Sequence, residues 1–385
     1  MPDAVIVDTL RTPIGRAFKG SLAQLRPEET GAYVVDQLLE RNPEVDPAMV
    51  EEVVCGCGFP QGLQGFNVGR IVSLLSEKLP QTVNGVTIAR YCSSSLDAIG
   101  HAGNAIKAGE GDAYLAVGIE WVSRFNERTE PAGEADQNPK LQGKDGQPNA
   151  YIAMGETAVN VAKKYEVSRA DMDKFAQRSQ ELAVKSQEDG FFDREIVPVT
   201  LPDGTEVAKD DGPRASSTLE KLAELPEAFG GGGVTAGNSC PLNDGAAAVL
   251  LMSDTKAKEL GLTPRARIVT AATWGNEPEY MGVAPIGAVK KVLDRSGMTM
   301  GDVGTVELNE AFAAQVIPIM DECDIPVEKL NTHGGAIALG HPFGMTGARM
   351  MGTLLNAMET DDHQVGIETM CVAGGQGKAM LVERV

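Results

Sequence analysis

The sequence carries an internal repeat, which restricts the chain to folds built from two similar halves. Residues 35–41 (VDQLLER) resemble residues 289–295 (VKKVLDR), and each segment reads as the end of an amphipathic helix. Each copy is followed by a loop and then by an apolar strand, which spans 50–54 after the first copy and 303–307 after the second. Strands that alternate with helices in each half predict two α/β units whose central sheets are covered by helices.

The first copy of the repeat is interrupted. Residues 115–118 resemble 370–374, a strand that enters a turn of small residues. The strand at 377–383 follows its turn directly, whereas its counterpart at 245–251 comes more than a hundred residues after Gly118. An insertion therefore splits the first half, and a cleft between the halves is the expected site. The predicted units are a first half at 1–121 plus 243–262, an inserted domain at 122–242 and a second half at 263–385. Within the insertion, 126–150 is polar and rich in proline and glycine, which predicts a loop, and 156–188 has the period of a helix.

The chain is strongly acidic, with a formal net charge of −20. This charge argues against nucleic acid or an anionic membrane surface as the main partner. A polyanionic substrate would need a local basic patch, and solubility alone also explains the charge. No apolar stretch is long enough to cross a membrane, and the N-terminus lacks the pattern of a signal peptide, so we expect a cytoplasmic protein. Six cysteines without a Cys-x-x-Cys pair predict neither a disulfide framework nor a metal site.

Cys92 occupies a turn between two predicted elements. Val86 and Ile88 indicate a strand, and Leu96 and Ile99 indicate a helix. A cysteine at the start of a helix lies near unpaired amide N–H groups and the positive end of the helix dipole, which favour the nucleophilic thiolate. The alternative is a small buried cysteine with no chemical role.

The segment 331–347 surrounds a histidine with glycine and proline, which lets the backbone approach a ligand closely. The chain has four histidines: His101, His333, His341 and His363. His101 falls within a predicted helix and His363 within a polar loop. His341, between Gly340 and Pro342, is therefore the better candidate for a general base.

Two further segments combine a strand end with polar chemistry. Cys371 ends a strand and enters the turn 373–377, whose amide groups could bind an oxyanion. Asn309 lies between a strand end and a helix start in 306–313, where it could hydrogen-bond a carbonyl or orient a water molecule.

Taken in order, four segments resemble the motifs of the thiolase family: the turn at Cys92, the block 309–312, the block 334–342 and the block 371–377. The similarity runs from about Asp8 to Arg384. It implies an α/β thiolase-like fold, in which two duplicated halves with mixed five-stranded sheets are covered by helices and carry an inserted loop domain that binds coenzyme A. It also implies a homodimer or homotetramer.

The resemblance implies a role for each residue. Cys92 takes the acyl group from a CoA thioester, and His341 activates its thiol. Cys371 exchanges a proton with the α-carbon of acetyl-CoA or with the CoA thiol. Asn309 holds a water at the enolate oxygen, and the backbone N–H groups of Cys92 and Ala373 hold the tetrahedral intermediate. Acyl-CoA, acetyl-CoA and CoA are the expected partners; CoA is a co-substrate, and no permanent cofactor or metal is expected.

Five further residues match positions that contact the substrate or CoA in the family: Arg214, Cys240, Met154, Met281 and Phe312. Arg214 matches an arginine near the CoA nucleotide, although a surface charge pair with Asp210 or Asp211 is the ordinary alternative. Methionine at 281 is more often plain core packing.

Some positions depart from the family pattern. His333 stands where asparagine is usual and is interpreted as structural, and Ala373 replaces a frequent glycine. Cys240 replaces a serine that contacts pantetheine, which puts that contact in doubt. Ala153 replaces a histidine typical of short-chain, acetoacetyl-forming members, which favours longer acyl chains.

These departures favour a broad-range 3-ketoacyl-CoA thiolase (acetyl-CoA C-acyltransferase) working in fatty-acid β-oxidation. A short-chain acetyl-CoA C-acetyltransferase stays open. A decarboxylating ketoacyl synthase would normally need a second histidine where Cys371 stands. A non-catalytic acyl-CoA or lipid carrier would not need Cys92, Asn309, His341 and Cys371 together.

Overall fold

The computed structural model describes residues 2–127 and 133–385. Within these ranges the first half of the chain and its continuation supply strands β1 Ala4–Arg11, β2 Gly15–Arg16, β3 Val50–Cys57, β4 Asn84–Ile88, β5 Ala113–Trp121 and β8 Asn243–Ser253. The second half supplies β9 Ala266–Gly275, β10 Thr305–Leu308, β11 Val365–Val372 and β12 Gln376–Arg384, and β6 Val199–Thr200 and β7 Glu206–Val207 form a separate small sheet. The α-helices are α1 Pro27–Arg41, α2 Val68–Leu75, α3 Ser94–Ala108, α4 Met154–Lys164, α5 Arg169–Glu188, α6 Leu219–Ala223, α7 Asp254–Glu259, α8 Pro285–Ser296, α9 Ala313–Glu322, α10 Ala336–Leu339 and α11 Thr346–Thr360.

The two halves share one strand topology. In the first half the order is β1-β8-β5-β3-β4, antiparallel from β1 to β5 and parallel from β5 to β4. In the second half the order is β9-β12-β11-β10, and the relative directions are the same: antiparallel from β9 to β11 and parallel from β11 to β10. The repeat predicted from the sequence is therefore confirmed. The helices α1 and α8, which contain the two similar heptapeptides, occupy equivalent positions in the chain order of the halves.

The sheets of the two halves are joined into one. Strands β1 and β9 pair over two positions, Val5 with Arg267 and Ile6 with Ala266, so one hydrogen-bonded path runs through both halves.

The expected fifth strand of the second half is reduced to one bridge between Val306 and Leu330. The side chain of Asn331 replaces the missing ladder: its Oδ1 accepts from the backbone N–H of Leu308 at 2.8 Å, and its Nδ2 donates to the carbonyl of Leu308 at 2.9 Å. Asn331 has a φ of 43°, a left-handed conformation that turns the chain away from the sheet. The side chain therefore satisfies the edge of β10 while the backbone leaves it.

Helices α3 and α11 pack against each other at their first turns. Ser95 Oγ accepts a hydrogen bond of 2.8 Å from the backbone N–H of Ala348. A Cβ at Gly347 would lie 2.4 Å from the backbone nitrogen of Leu96, so only glycine permits this approach. Both helices contribute to a single hydrophobic core cluster that includes buried side chains such as Leu96 and Leu354. The starts of two equivalent helices, one from each half, are thereby fixed side by side.

The inserted segment is anchored to the first strand by a buried ion pair. Arg11 at the end of β1 donates to Glu195 at 2.7 Å and to both carboxylate oxygens of Asp210 at 2.7 and 2.9 Å. The predicted helical region 156–188 consists of two helices, α4 and α5, because the chain turns through Glu166 with a φ of 52°. The predicted loop at 126–150 contains short 3₁₀ turns, and its residues 128–132 lie outside the described part of the chain. Within the described residues, no helix is long and apolar enough to cross a membrane.

Candidate active site

Cys92 lies in the predicted strand–helix turn. It is the middle residue of a single 3₁₀ turn, Tyr91–Ser93, between β4 and α3. Tyr91 has a φ of 43°, an uncommon conformation for a bulky residue, and it sets the direction in which the chain enters the helix. The backbone therefore presents the cysteine at the helix start, as the sequence indicates.

Burial outweighs the preference for a thiolate that the helix start was expected to give Cys92. Cys92 is only partly exposed, and burial is the largest cause of a pKa well above the ordinary value of a thiol. Charge on Cys371, Cys240 and Glu120 raises the pKa further, while a backbone hydrogen bond at Cys92 itself opposes the rise. Desolvation thus outweighs the helix start. A neutral thiol needs a base to become a nucleophile.

His341 has the geometry of such a base. It lies between α10 and α11, 1% exposed, and its Nδ1 is 2.6 Å from Thr346 Oγ1. The single hydroxyl hydrogen of Thr346 is donated to the carbonyl of Pro342 at 2.8 Å, so Oγ1 must accept from Nδ1–H. This arrangement leaves the lone pair on Nε2. Burial, and then the charge of Arg349, lower the pKa of His341 to about 3, so the imidazole is neutral at physiological pH.

Asn309 is the direct neighbour of that lone pair. It follows the last residue of β10, and its Nδ2 lies 3.3 Å from His341 Nε2. Its Oδ1 is buried and has no hydrogen-bond partner among the described residues. A buried acceptor of this kind is normally satisfied by an ordered water molecule or by a ligand.

Cys371 has a partner that the sequence analysis missed. Gln315 on α9 donates from Nε2 to Cys371 Sγ at 3.0 Å, and both side chains are fully buried. Burial raises the pKa of Cys371 to about 11, and the hydrogen bond from Gln315 opposes this rise. The sequence feature that could have revealed this partner is a single glutamine in the otherwise apolar run of α9.

The turn after Cys371 is built by two glycines. Gly374 and Gly375 have φ values of 79° and 78°, and a Cβ at Gly375 would lie 2.2 Å from the carbonyl oxygen of Asn276. The backbone N–H of Asn276 donates to the carbonyl of Gly375 at 2.5 Å. Gln376 Nε2 donates to the carbonyl oxygen of Ala373 at 3.1 Å. The turn that carries the Ala373 amide is therefore held on both sides.

Cys240 completes a group of three thiols. Burial, followed by the charge of Cys371, raises the pKa of Cys240 to about 12, and Cys240 in turn raises the pKa of Cys92. Its backbone N–H donates to the carbonyl of Ala311 at 3.0 Å. The residue that replaces the expected serine thus lies beside both candidate catalytic cysteines.

The apolar candidates share one hydrophobic cluster. Met281 and Phe312 are buried in the same hydrophobic cluster as Cys371, and Met154 and Cys240 pack against that cluster. Phe229 contacts the ring of Phe312 edge-on, with centroids 6.3 Å apart. These candidates therefore belong to, or pack against, one apolar cluster that also contains Cys371.

Arg214 is exposed and makes no ion pair with another residue of the described chain. The alternative of a surface charge pair is not what the structure shows, because its acidic neighbours are used elsewhere. Asp210 binds Arg11, and Asp211 accepts from the backbone N–H groups of Arg16 and Ser21, each at 2.9 Å.

His333 is directed toward the inserted segment. Its ring stacks on Phe191 with centroids 3.4 Å apart, and its Nδ1 lies 3.0 Å from Ser186 Oγ. Burial lowers the pKa of His333 to about 4.

Glu310, beside Asn309, was not singled out in the sequence. Its carboxylate accepts from Ser179 Oγ at 2.6 Å, from Asn331 Nδ2 at 2.8 Å and from the backbone N–H of Ile337 at 3.1 Å. It therefore fixes the start of the glycine-rich segment that leads to His341. The sequence feature that could have indicated this role is the position of Glu310 within the 309–312 block.

Comparisons with known proteins show similarity over the whole chain. The family models "Thiolase, N-terminal domain" and "Thiolase, C-terminal domain" match residues 4–255 and 262–384. The 3-oxoadipyl-CoA/3-oxo-5,6-dehydrosuberyl-CoA thiolase of Escherichia coli is 42% identical, with both chains covered completely. The 3-ketoacyl-CoA thiolase of Stutzerimonas stutzeri is also 42% identical, over 100% of this chain and 98% of the relative.

Solved structures give the same result. The dimeric peroxisomal thiolase of Saccharomyces cerevisiae superposes with a TM-score of 0.94 at 37% identity, covering 100% of this chain and 98% of that one. The acetyl-CoA acetyltransferase of Bacillus anthracis superposes with a TM-score of 0.90 at 38% identity, covering 100% and 99%. The duplicated fold, the two candidate cysteines with a neutral histidine, and similarity over the full length lead to one conclusion: this chain belongs to the thiolase family.

Proposed function

We propose that this thiolase works in degradation, cleaving 3-ketoacyl-CoAs of varied chain length by transfer of the acyl group to Cys92. The observation that carries the residue assignment is the hydrogen bonding of His341. Thr346 fixes the proton on Nδ1, so a neutral Nε2 is available beside Asn309. A neutral base and two neutral thiols are the protonation states that a thiolase cycle needs at its start.

In the first half-reaction, His341 Nε2 takes the proton of Cys92, and the thiolate attacks the 3-keto carbon. The backbone N–H groups of Cys92 and Ala373 bind the resulting oxyanion; one such donor contributes roughly 3 kcal/mol to the transition state. The bond between the second and third carbons then breaks. Its electron pair forms the enolate of acetyl-CoA, whose oxygen is held by His341 and by a water bound to Asn309.

Cys371 supplies the proton that completes acetyl-CoA. It donates to the second carbon, becomes a thiolate and later takes the proton of an incoming CoA thiol. The CoA sulfur attacks the acyl group on Cys92, and the Cys92 thiolate leaves and recovers its proton from His341. A pKa of about 11 keeps Cys371 protonated before the first transfer, and the amide of Gln315 stabilises the thiolate after it.

The inserted segment 122–242 is the part that we propose to bind CoA. Arg214 supports this role because its guanidinium is exposed and not paired with Asp210 or Asp211. We also propose a homodimer or homotetramer, which light scattering after gel filtration would measure, and a cytoplasmic location.

Chain length is proposed from Ala153. This residue is exposed at the N-cap of α4, and the next residue, Met154, packs against the apolar cluster that contains Phe312. A methyl group here leaves more space than an imidazole and removes a polar contact, which suits a longer acyl chain.

The test is kcat/KM for thiolytic cleavage of acetoacetyl-CoA, 3-ketohexanoyl-CoA, 3-ketooctanoyl-CoA and 3-ketododecanoyl-CoA, with 3-oxoadipyl-CoA as a charged comparison. Ala153→His should shift the preference toward acetoacetyl-CoA, and Ala150→His, also in the inserted segment, serves as the control. A preference of the unmodified enzyme for acetoacetyl-CoA by tenfold, about 1.4 kcal/mol in transition-state binding, over every longer substrate would favour the short-chain acetyltransferase instead.

A further inference from the structure

Glu120 is a buried carboxylate with no part in the chemistry described above. It is the penultimate residue of β5 and is 0% exposed. One oxygen, Oε2, accepts from the backbone N–H of Gly58 at 2.8 Å and from the backbone N–H of Gly344 at 2.9 Å. The other, Oε1, accepts from Gln64 Nε2 at 2.7 Å.

The two glycine amides belong to different halves of the molecule. Gly58 follows β3 in the first half, and Gly344 follows His341 by three residues in the second. A Cβ at Gly344 would lie 2.3 Å from the carbonyl oxygen of Ile119 and 2.7 Å from Cα of Cys57. The histidine loop is therefore pressed directly onto the first-half sheet. Two first-half side chains hold it there: Glu120 accepts from Gly344, and Asn243 Oδ1 accepts from the backbone N–H of His341 at 3.0 Å.

The same carboxylate reaches the cysteine turn through Gly58. A Cβ at Gly58 would lie 2.5 Å from Glu120 Oε2, 3.0 Å from Phe343 Cβ and 3.2 Å from the carbonyl oxygen of Tyr91. The ring of Phe59 contacts those of Tyr91 and Phe343, at centroid distances of 5.4 and 5.7 Å. The neighbour of the nucleophile and the loop of the base thus meet around the segment that Glu120 binds.

We propose that Glu120 is a positioning residue of the thiolase reaction, which holds the His341 loop against the Cys92 turn through the amides of Gly344 and Gly58. This inference rests on the proposed role of His341 as the base. The proposed effect is geometric and separate from the effect of the Glu120 charge on the pKa of Cys92. The reacting nitrogen and sulfur belong to different halves, and Glu120 is the buried acceptor that binds the supports of both. Misplacement of a catalytic group by about 1 Å can cost on the order of a hundredfold in rate.

Gln64 offers a sharp test. Its Oε1 accepts from the backbone N–H of Trp121 at 2.5 Å, so its Nε2 must be the atom that donates to Glu120. Glu120→Gln keeps an oxygen for the two glycine amides but places an amide nitrogen against that donor. In the double variant Glu120→Gln/Gln64→Glu, the introduced carboxylate accepts both from position 120 and from Trp121. The bond between positions 64 and 120 and the bonds from Gly58, Gly344 and Trp121 are then present again, with the charge moved by one side chain, while the donation from Gln64 Nε2 to the carbonyl of Phe59 at 3.0 Å is lost.

The experiment measures kcat and KM for thiolytic cleavage together with thermal unfolding. Glu120→Gln should lower kcat by about tenfold to a hundredfold with KM changed less than about threefold, and the double variant should recover part of the loss. Glu195→Gln is the matched control, a buried carboxylate with several partners, Arg11 and Asn356 among them, that lie outside the site. It should lower the unfolding temperature while kcat per folded enzyme stays constant.

Glu120→Asp covers the case in which Glu120→Gln does not fold, since it keeps the charge and shortens its reach; an intermediate fall in kcat is expected. Unchanged kcat in folded Glu120→Gln or Glu120→Asp, or no recovery in the double variant, would overturn the proposal. An equal fall in Glu195→Gln would do the same. His341→Ala separates this from the catalytic assignment: if that variant is inactive while the Glu120 variants are normal, only the positioning role is wrong.

Discussion

The side-chain nitrogen of Asn309 lies 3.3 Å from Nε2 of His341, and both residues come from the second half of the duplicated chain. The nucleophile proposed to lose its proton to that nitrogen, Cys92, comes from the first. Each half therefore supplies an incomplete set of groups. The contact between α3 and α11, through Ser95 and Ala348, brings the two sets together.

Acylation should occur on Cys92. Cys92→Ser should abolish turnover, because a hydroxyl is far less ionised than a thiol at neutral pH, whereas Cys371→Ala should still form an acyl-enzyme and lose exchange of the α-protons of acetyl-CoA with solvent. Peptide mass spectrometry after incubation with acyl-CoA locates the adduct, and NMR in deuterated water measures the exchange. A stable acyl group on Cys371 with Cys92 unmodified would contradict the assignment.

Gln315→Met should weaken proton transfer by Cys371 without preventing acylation of Cys92. The amide of Gln315 donates to the sulfur and holds the pKa of Cys371 lower than burial alone would, so its loss should raise that pKa above about 11. We expect α-proton exchange to fall by about tenfold, and any alkaline limb of its rate to move to higher pH. Gln315→Glu, which also removes the donor when ionised, should act in the same direction. Exchange that equals the wild-type rate in both variants would show that the bond has no catalytic effect.

Glu368→Gln should stabilise the fold, and more so as the pH rises. Glu368 pairs in register with Glu307 on the neighbouring strand, is fully buried, and has no hydrogen-bond partner for either oxygen among the described residues. Burial raises the pKa of Glu368 well above 4.5; the charge of Arg349 opposes this and that of Glu307 adds to it.

The direction of this pH dependence follows from the difference in proton binding between the folded and the unfolded chain. The unfolded chain releases this proton near pH 4.5 and the folded chain retains it, so this contribution to stability is present at low pH and is lost as the pH rises. The free energy of unfolding of Glu368→Gln relative to wild type should increase from about pH 5 upward, by at most about 1.4 kcal/mol per pH unit. Urea unfolding at several pH values measures it, with the exposed Glu328→Gln as control; a constant difference would show that the carboxyl is ionised in the folded protein.

His333→Ala should cost stability and leave catalysis unchanged. The lost stacking on Phe191 is worth about 1 kcal/mol beyond the buried area. Thermal unfolding and kcat for thiolytic cleavage are the measurements, and His333→Asn, the residue usual in the family, gives the comparison. A loss of kcat in both variants would assign His333 to the catalytic machinery.

Local patterns in the sequence predicted the elements that carry the site. The repeat gave two halves, alternating apolar residues placed β4 before Cys92, and helical periodicity placed α3 after it. These features depend on neighbours within a few residues, so the periods of strand and helix reveal them. The resemblance of four short blocks to thiolases then supplied roles that no local pattern could.

Tertiary structure decided what depends on residues far apart in the chain. The raised pKa of Cys92 reflects burial by both halves and cannot be read from a helix start. The bond from Gln315 to Cys371 joins residues 56 positions apart, and that from Gly344 to Glu120 joins residues 224 positions apart. The sequence thus determined which groups are available for catalysis. Their protonation and their supports were set only by folding, because desolvation and hydrogen bonding arise where distant segments meet.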